Sequence, residues 1–374
     1  MPAGRPTSRR VYLASTLETS EPVPLPSVPA PAAVLAMLTL STACLDSRSR
    51  PTTARTNQPV QLALPSGAGG IGFDDLRFSA ELGAVLVPSG RSGALNMVDP
   101  DSLRVTTMAG FTRRPTWSGG HDEGVTSADA YGPLVLATDR DSRLLSMANP
   151  GSGRITGSIR LAAKPDFVRA IAARGQVWVT EPDAAQIELL HFPGAGAPPT
   201  HLGTIRVESG PEALAVDAVR NLPYTNLEEK GTTVAISLDS HRIVARWPNG
   251  CRISQGLAMD DINALLFVAC GEGRIAVLSL TRNGALIDTA SVGSGVDMVD
   301  FDPSLRHLYA PAPGDSSLTT LGVSAAGRLS QLGSIALPGA GDCVASAGRG
   351  GVFVCAPRDG ALWVVRDTLP ATAQ

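Results

Sequence analysis

From about residue 58 onward the chain keeps returning to one pattern: a Gly-rich loop, a short apolar strand, a turn often opened by Asp, and a second apolar strand. The clearest copies are residues 256–268 and 297–310, and in both, six positions separate Asp260 or Asp302 from the apolar residue that opens the next strand. The same frame fits 213–217 before Tyr224, 168–171 before 177–179, 76–79 before 85–87 and 125–128 before 134–137. With one residue deleted it also fits 344–346 before 352–354, which makes seven copies. The helical period hardly appears, so the repeated unit is a β unit.

A tight turn rich in Gly, Asp or Asn follows each second strand, as at 89–93, 139–142, 271–273 and 358–360. A third strand comes next (94–98, 144–147, 275–278, 362–365), and a weaker fourth closes most units (105–108, 155–159, 332–337). The 317 residues after position 57, divided by seven, give about 45 per copy, the size of a four-stranded propeller blade. The expected fold is therefore all-β, a seven-bladed β-propeller of four-stranded antiparallel blades spanning 58–367. The blades fall at about 72–110, 112–162, 164–208, 210–250, 251–292, 293–337 and 338–367, with strand 60–64 supplying the missing outer strand of the last. Residues 368–374 read as a disordered tail.

Three second strands carry a further signal: Tyr224-Thr225-Asn226, Leu266-Phe267-Val268 and Leu308-Tyr309-Ala310. These copies resemble the YVTN-type propeller repeats of bacterial envelope and secreted proteins, within the lactonase-like and NHL-like seven-bladed group. The resemblance covers about residues 58–367 and implies the propeller fold. It implies less about activity, because such propellers are mostly of binding or unknown function and some relatives hydrolyse lactones.

In a propeller the innermost strands line a central channel, so equivalent positions at their N-terminal ends form a ring at one mouth. Five residues before the repeat aspartate the copies place Asp74, Glu123, Asp166, Glu212, Gln255 and Asp297, and the deleted copy places Asp342. Asp139, Asp183, Glu228 and Asp359, in the turns between second and third strands, open on the same face. Converging carboxylates repel one another unless a cation or hydrogen-bond donors sit among them. Calcium fits such oxygen ligands. The alternative is that each acid accepts backbone N–H bonds and ties neighbouring blades together; a cationic organic ligand is a third reading.

Symmetry breaks at His121-Asp122-Glu123, after Gly119-Gly120 in the long irregular loop 112–126. There a histidine joins the ring, as a metal ligand, a general base or a plain surface residue. Trp117 and Arg114 in the same loop are placed to form a lid, and Arg169 and Arg252 to neutralise the ring. His191, His201, His241 and His307 read as solvated. The chain has no GxSxG, HExxH, GxxxxGK(S/T) or strand-to-helix GxGxxG motif, so no catalytic residue is assigned.

Residues 1–57 differ from the rest, being rich in Pro, Ser, Thr and Ala around one apolar run at 32–43, too short to span a bilayer. The run ends at Leu40-Ser41-Thr42-Ala43-Cys44, which resembles a bacterial lipoprotein signal with Cys44 as the lipidated residue. Residues 1–57 are thus expected to be an export signal and disordered linker, placing the protein in the cell envelope or periplasm, with the membrane touched only through a lipid anchor. The other cysteines fall in two local pairs around equivalent hairpins, Cys251 with Cys270 and Cys343 with Cys355, and two disulfides are expected. A net charge of -3 gives no basic field for nucleic acid. The leading expectation is a monomeric, non-catalytic, envelope-anchored propeller that binds a protein partner or small ligand on its acidic channel face. The alternatives are a metal-dependent lactonase or esterase using the channel carboxylates, and a purely structural surface protein.

Overall fold

Apolar runs without alternation mark the middle strands of each unit. Ala84–Pro88 and Leu265–Cys270 are buried at every position, whereas the outer strand Arg154–Arg160 alternates between sheltered and exposed residues. A strand buried on both faces must be covered by sheets on both sides, and stacking blade on blade does this. The computed structural model describes residues 58–194 and 197–373; Cys44 and the rest of 1–57 lie outside the described residues.

Seven four-stranded antiparallel sheets result, as the repeats imply. Blade 1 runs through Arg77–Ser79, Ala84–Pro88, Ser92–Val98 and Val105–Arg113, and blade 2 through Val125–Tyr131, Leu134–Asp139, Leu144–Asn149 and Arg154–Arg160. Blade 3 is Val168–Ile171, Gln176–Glu181, Gln186–His191 and Thr200–Arg206; blade 4 is Pro211–Asp217, Leu222–Leu227, Thr232–Ile236 and Ile243–Pro248. Blade 5 is Ser254–Asp260, Leu265–Cys270, Arg274–Ser279 and Ala285–Ser291; blade 6 is Asp300–Asp302, His307–Ala312, Ser317–Val323 and Leu329–Ala336. Blade 7 has Val344–Ser346, Gly351–Ala356 and Ala361–Arg366, and Val60–Ala63 pairs antiparallel with the last of these, Val60 opposite Val364. The ring is closed by a strand from the start of the domain.

The cores lie between blades. Phe267 of blade 5 and Phe301 of blade 6 pack with ring centroids 5.2 Å apart, and Leu86 and Leu95 of blade 1 cluster with Val135 and Ala137 of blade 2. Around the channel, backbone bonds step from one inner strand to the next: Gly256 N donates to Asp297 O (3.0 Å) and Met298 N to Asp342 O (2.9 Å). The Tyr-Thr-Asn strand acts in the same way. Thr225 Oγ donates to Ala213 O within blade 4 (2.7 Å), while the Asn226 side-chain amide donates to Gln255 O of blade 5.

The cysteine pairs sit at bonding distance, with Cα atoms 5.1 Å apart for Cys251–Cys270 and 5.6 Å for Cys343–Cys355. The segment from Asp367 onward, of which 368–374 read as a disordered tail, carries specific bonds. Asp367 Oδ2 takes hydrogen bonds from His307 Nδ1 (2.7 Å) and the Tyr309 hydroxyl (2.9 Å), and Thr372 N donates to Leu305 O (2.9 Å). His307 is thus fully buried rather than solvated, because the returning tail covers it and gives both ring nitrogens partners, Asp367 and Pro370 O. No helix among the described residues is long and apolar enough to cross a membrane.

Candidate functional site

The starts of the inner strands bring carboxylates to the channel mouth. Asp74, Asp166 and Asp297 are buried, and Glu212 and Asp342 are partly buried. The loop before blade 2 adds His121, whose Nδ1 lies 3.5 Å from Asp74 Oδ1. One ligating atom each from His121, Asp297 and Asp342 fall within 4.8 Å of one another. Residues from blades 6 and 7 and from the loop leading into blade 2 therefore converge on one spot.

Two ring positions stand aside. Glu123 takes the Ser118 hydroxyl and has Arg114 Nη1 at 3.7 Å, so it serves its own loop. Gln255 contributes its backbone carbonyl to Asn226 and brings no charge.

The main counter-charge at the ring is Arg140, which repeat alignment alone does not reveal. Its buried guanidinium reaches Asp166 Oδ1 (2.6 Å), Asp122 Oδ1 (2.8 Å) and Asp74 Oδ2 (3.7 Å), joining blades 1, 2 and 3. The signal was present in the Asp-Arg-Asp turn at 139–141, on the ring's own face. Arg169 and Arg252 do not neutralise this ring. Arg169 forms a two-pronged pair with Asp75 (2.6 and 3.0 Å), beside a separate cavity of about 400 Å³ that it shares with Leu257, Met298 and Asp300. The Arg252 side chain is exposed, and its backbone N–H donates to Glu272.

Fastening of loops falls to other acids. Asp139 accepts Thr112 N (2.7 Å), Glu181 accepts Ala163 N (2.7 Å) and Asp315 accepts Ser294 N (2.9 Å); each sits where the second strand meets the third. Asp359 instead takes the Gln61 amide (2.7 Å) beside the closing strand. Asp74, Asp166 and Asp297 take no such bonds from neighbouring loops among the contacts described, and Asp297 Oδ1 is buried with no hydrogen-bond donor among the described residues.

Electrostatics follow from this crowding. Burial, then the charge of Asp74, pushes the Asp166 carboxyl well above the ordinary carboxylate value. Burial raises Glu212, with Asp166 and Asp297 adding to it, and burial with Asp342 raises Asp297. Asp342 is also raised by burial. Burial pushes Asp74 up too, but the His121 charge and Arg140 outweigh it and leave Asp74 below the usual range. Asp74 in turn lifts His121 to about 11, so the imidazole carries a proton near neutrality. Five acid groups, of which Asp74 alone is held low, then share the mouth with two cations, Arg140 and His121.

Above this cluster lies a cavity of about 480 Å³ lined by His121 and Asp342 together with Phe73, Trp117, Pro313 and Arg358. Trp117 is held as one wall. Its Nε1 donates to Gly120 O (2.8 Å), and its ring lies on Gly70, where any Cβ would overlap it. Arg114, paired with Asp141, ties the same loop to blade 2 (2.8 Å). The site offers a floor of acid groups and a wall formed by Trp117, Phe73 and Pro313.

These features define the class as a seven-bladed β-propeller with a charged channel mouth. No protein-family model matches the chain, and no curated protein matches it. Among solved structures, a chain in the crystal structure of a mitotic checkpoint complex matches at TM-score 0.69 and 18% identity, covering 90% of this chain and 99% of that one. A chain of hydrazine synthase from Kuenenia stuttgartiensis matches at TM-score 0.63 and 12% identity, covering 82% and 98%. At these identities the likeness is one of fold.

Proposed function

We propose that the protein is an exported, non-catalytic binding propeller that takes a protein partner or small ligand bearing positive charge at its acidic channel mouth. It belongs, on this reading, with the YVTN-type envelope propellers, works as a monomer and is held to the membrane through lipid on Cys44. The observation that carries the reading is the cavity of about 480 Å³ over a floor where five acid groups meet two cations, Arg140 and His121. Two cysteine pairs at bonding distance suit an oxidising compartment, which supports export. Propellers commonly serve as protein-binding scaffolds, and one solved match is part of a protein complex.

The test is capture from envelope extracts by immobilised full-length protein, with the Asp166→Asn/Asp342→Asn variant alongside. A partner retained by the wild type, released by salt and lost by the variant supports the reading. Retention that ignores the variant moves binding off this face. Turnover of lactones or esters that disappears with Asp342→Asn would replace the reading with a hydrolase.

A further inference from the structure

We propose that His121, Asp297 and Asp342 form a binding site for one divalent transition-metal ion of the zinc type. The three ligating atoms, each from a different blade or loop, lie within 4.8 Å of one another. A tetrahedral ion about 2.1 Å from each ligand needs them roughly 3.4 Å apart, so a pair at the 4.8 Å limit would have to close by about 1.4 Å. The second observation is independent of the clustering of acids: Asp297 is 8% exposed, and its Oδ1 is buried in the channel mouth without a donor. Leaving a buried carboxylate oxygen without a partner is costly, and a bound cation removes the cost.

The ligand set selects the ion. One imidazole and two carboxylates suit zinc and its first-row neighbours, whereas calcium draws its ligands from oxygens alone. Asp74, 3.5 Å from His121 Nδ1, is the kind of carboxylate that orients a metal-bound imidazole. In charge terms the ion takes the place of the proton on His121, and the mouth still holds more acid groups than Arg140 pairs. The His121 side chain is 37% exposed beside the cavity, so an ion has a way in and keeps one position open to solvent. With the ion bound, the loop before blade 2 would be pinned across the channel to blades 6 and 7. This site stands apart from the partner reading, because the ion is bound by the protein alone.

The experiment is calorimetric titration of zinc into chelator-stripped full-length protein, repeated with calcium. One zinc per chain is expected, with calcium binding far more weakly. His121→Gln and Asp297→Asn should each weaken zinc by about a hundredfold and Asp74→Asn by about tenfold. His121 lies in a surface loop, so its variant reports even if Asp297→Asn fails to fold by circular dichroism. Cobalt added to the wild type should give visible absorption bands that His121→Gln changes. No binding at millimolar zinc, zinc affinity indifferent to both ligand variants, or calcium binding more tightly than zinc would each overturn the site. Partner capture repeated with chelator present separates failure of this site from failure of the binding role.

Discussion

Arg140 Nη1 lies 2.6 Å from Asp166 Oδ1, and the same buried guanidinium also meets Asp122 at 2.8 Å. One residue of a turn in blade 2 thereby holds the channel mouth of blades 1 to 3 together. Removing it as Arg140→Met should leave Asp166 and Asp74 buried without their cation and lower stability by about 3 kcal/mol. Urea unfolding would show this as a lower midpoint with an unchanged slope; a loss below about 0.5 kcal/mol would mean that the pair contributes little.

The pH profile should have one sign. Asp166, Glu212, Asp297 and Asp342 bind protons more tightly folded than unfolded, and His121 does so up to about 11. Their stabilising contribution is complete below the unfolded values, near 4 for the acids and 6.5 for the imidazole, and is lost as pH rises through the folded ones. Asp74 and Asp367, both held low, act in the opposite direction, but only near and below about pH 4. Calorimetry with chelator present should therefore give a higher melting temperature at about pH 5.5 than at about pH 8.5. Asp297→Asn should flatten that slope, and a rise in stability toward alkaline pH would contradict it.

Reduction should cost stability in proportion to loop closure. The pairs Cys343–Cys355 and Cys251–Cys270 span 12 and 19 positions, and each is worth roughly 3 kcal/mol in the chain-entropy account. Mass spectrometry after alkylation of the native protein should find all four protected, and reductant should lower the melting temperature. Four alkylated thiols in exported protein would remove both the staples and an argument for export.

The C-terminal strap gives a further prediction. Asp367 Oδ2 serves both His307 and the Tyr309 hydroxyl, all three buried. Asp367→Ala should cost about 3 kcal/mol and expose amides of residues 305–309 to faster hydrogen exchange. Unchanged exchange there would show that the strap is not what shields blade 6.

Fold and site were unequally legible. Seven strand-turn-strand copies gave the blades and both cysteine pairs, because each rests on spacing within one unit, while the closing strand was legible only as the strand missing from the last copy. The inner-strand acids were also legible as a set of equivalent positions. What spacing could not reveal is which acids meet across the channel. Asp74 and Asp166 share Arg140 although 92 positions separate them, and Asp297 faces His121 from four blades away. The same reason applies to two of the turn acids: Asp139 aims at Thr112 N and Asp359 takes the Gln61 amide rather than joining the ring. His307 looked solvated because nothing local shows that a segment 60 residues later returns to cover it.

The closing pair of strands, with Leu62 opposite Leu362, has a consequence for the order of events in folding. An open solenoid gains stability with each unit added and frays from its ends. Here the final seam joins a strand made early to one made last, so six full blades and two strands of the seventh precede the strand that seals the ring. Until then the flanks of the first and last blades are bare edges, open to wrong partners. If the chain crosses a membrane before sealing, the seam forms in the same compartment in which the cysteines pair, and ring closure becomes the step that commits the protein to its destination.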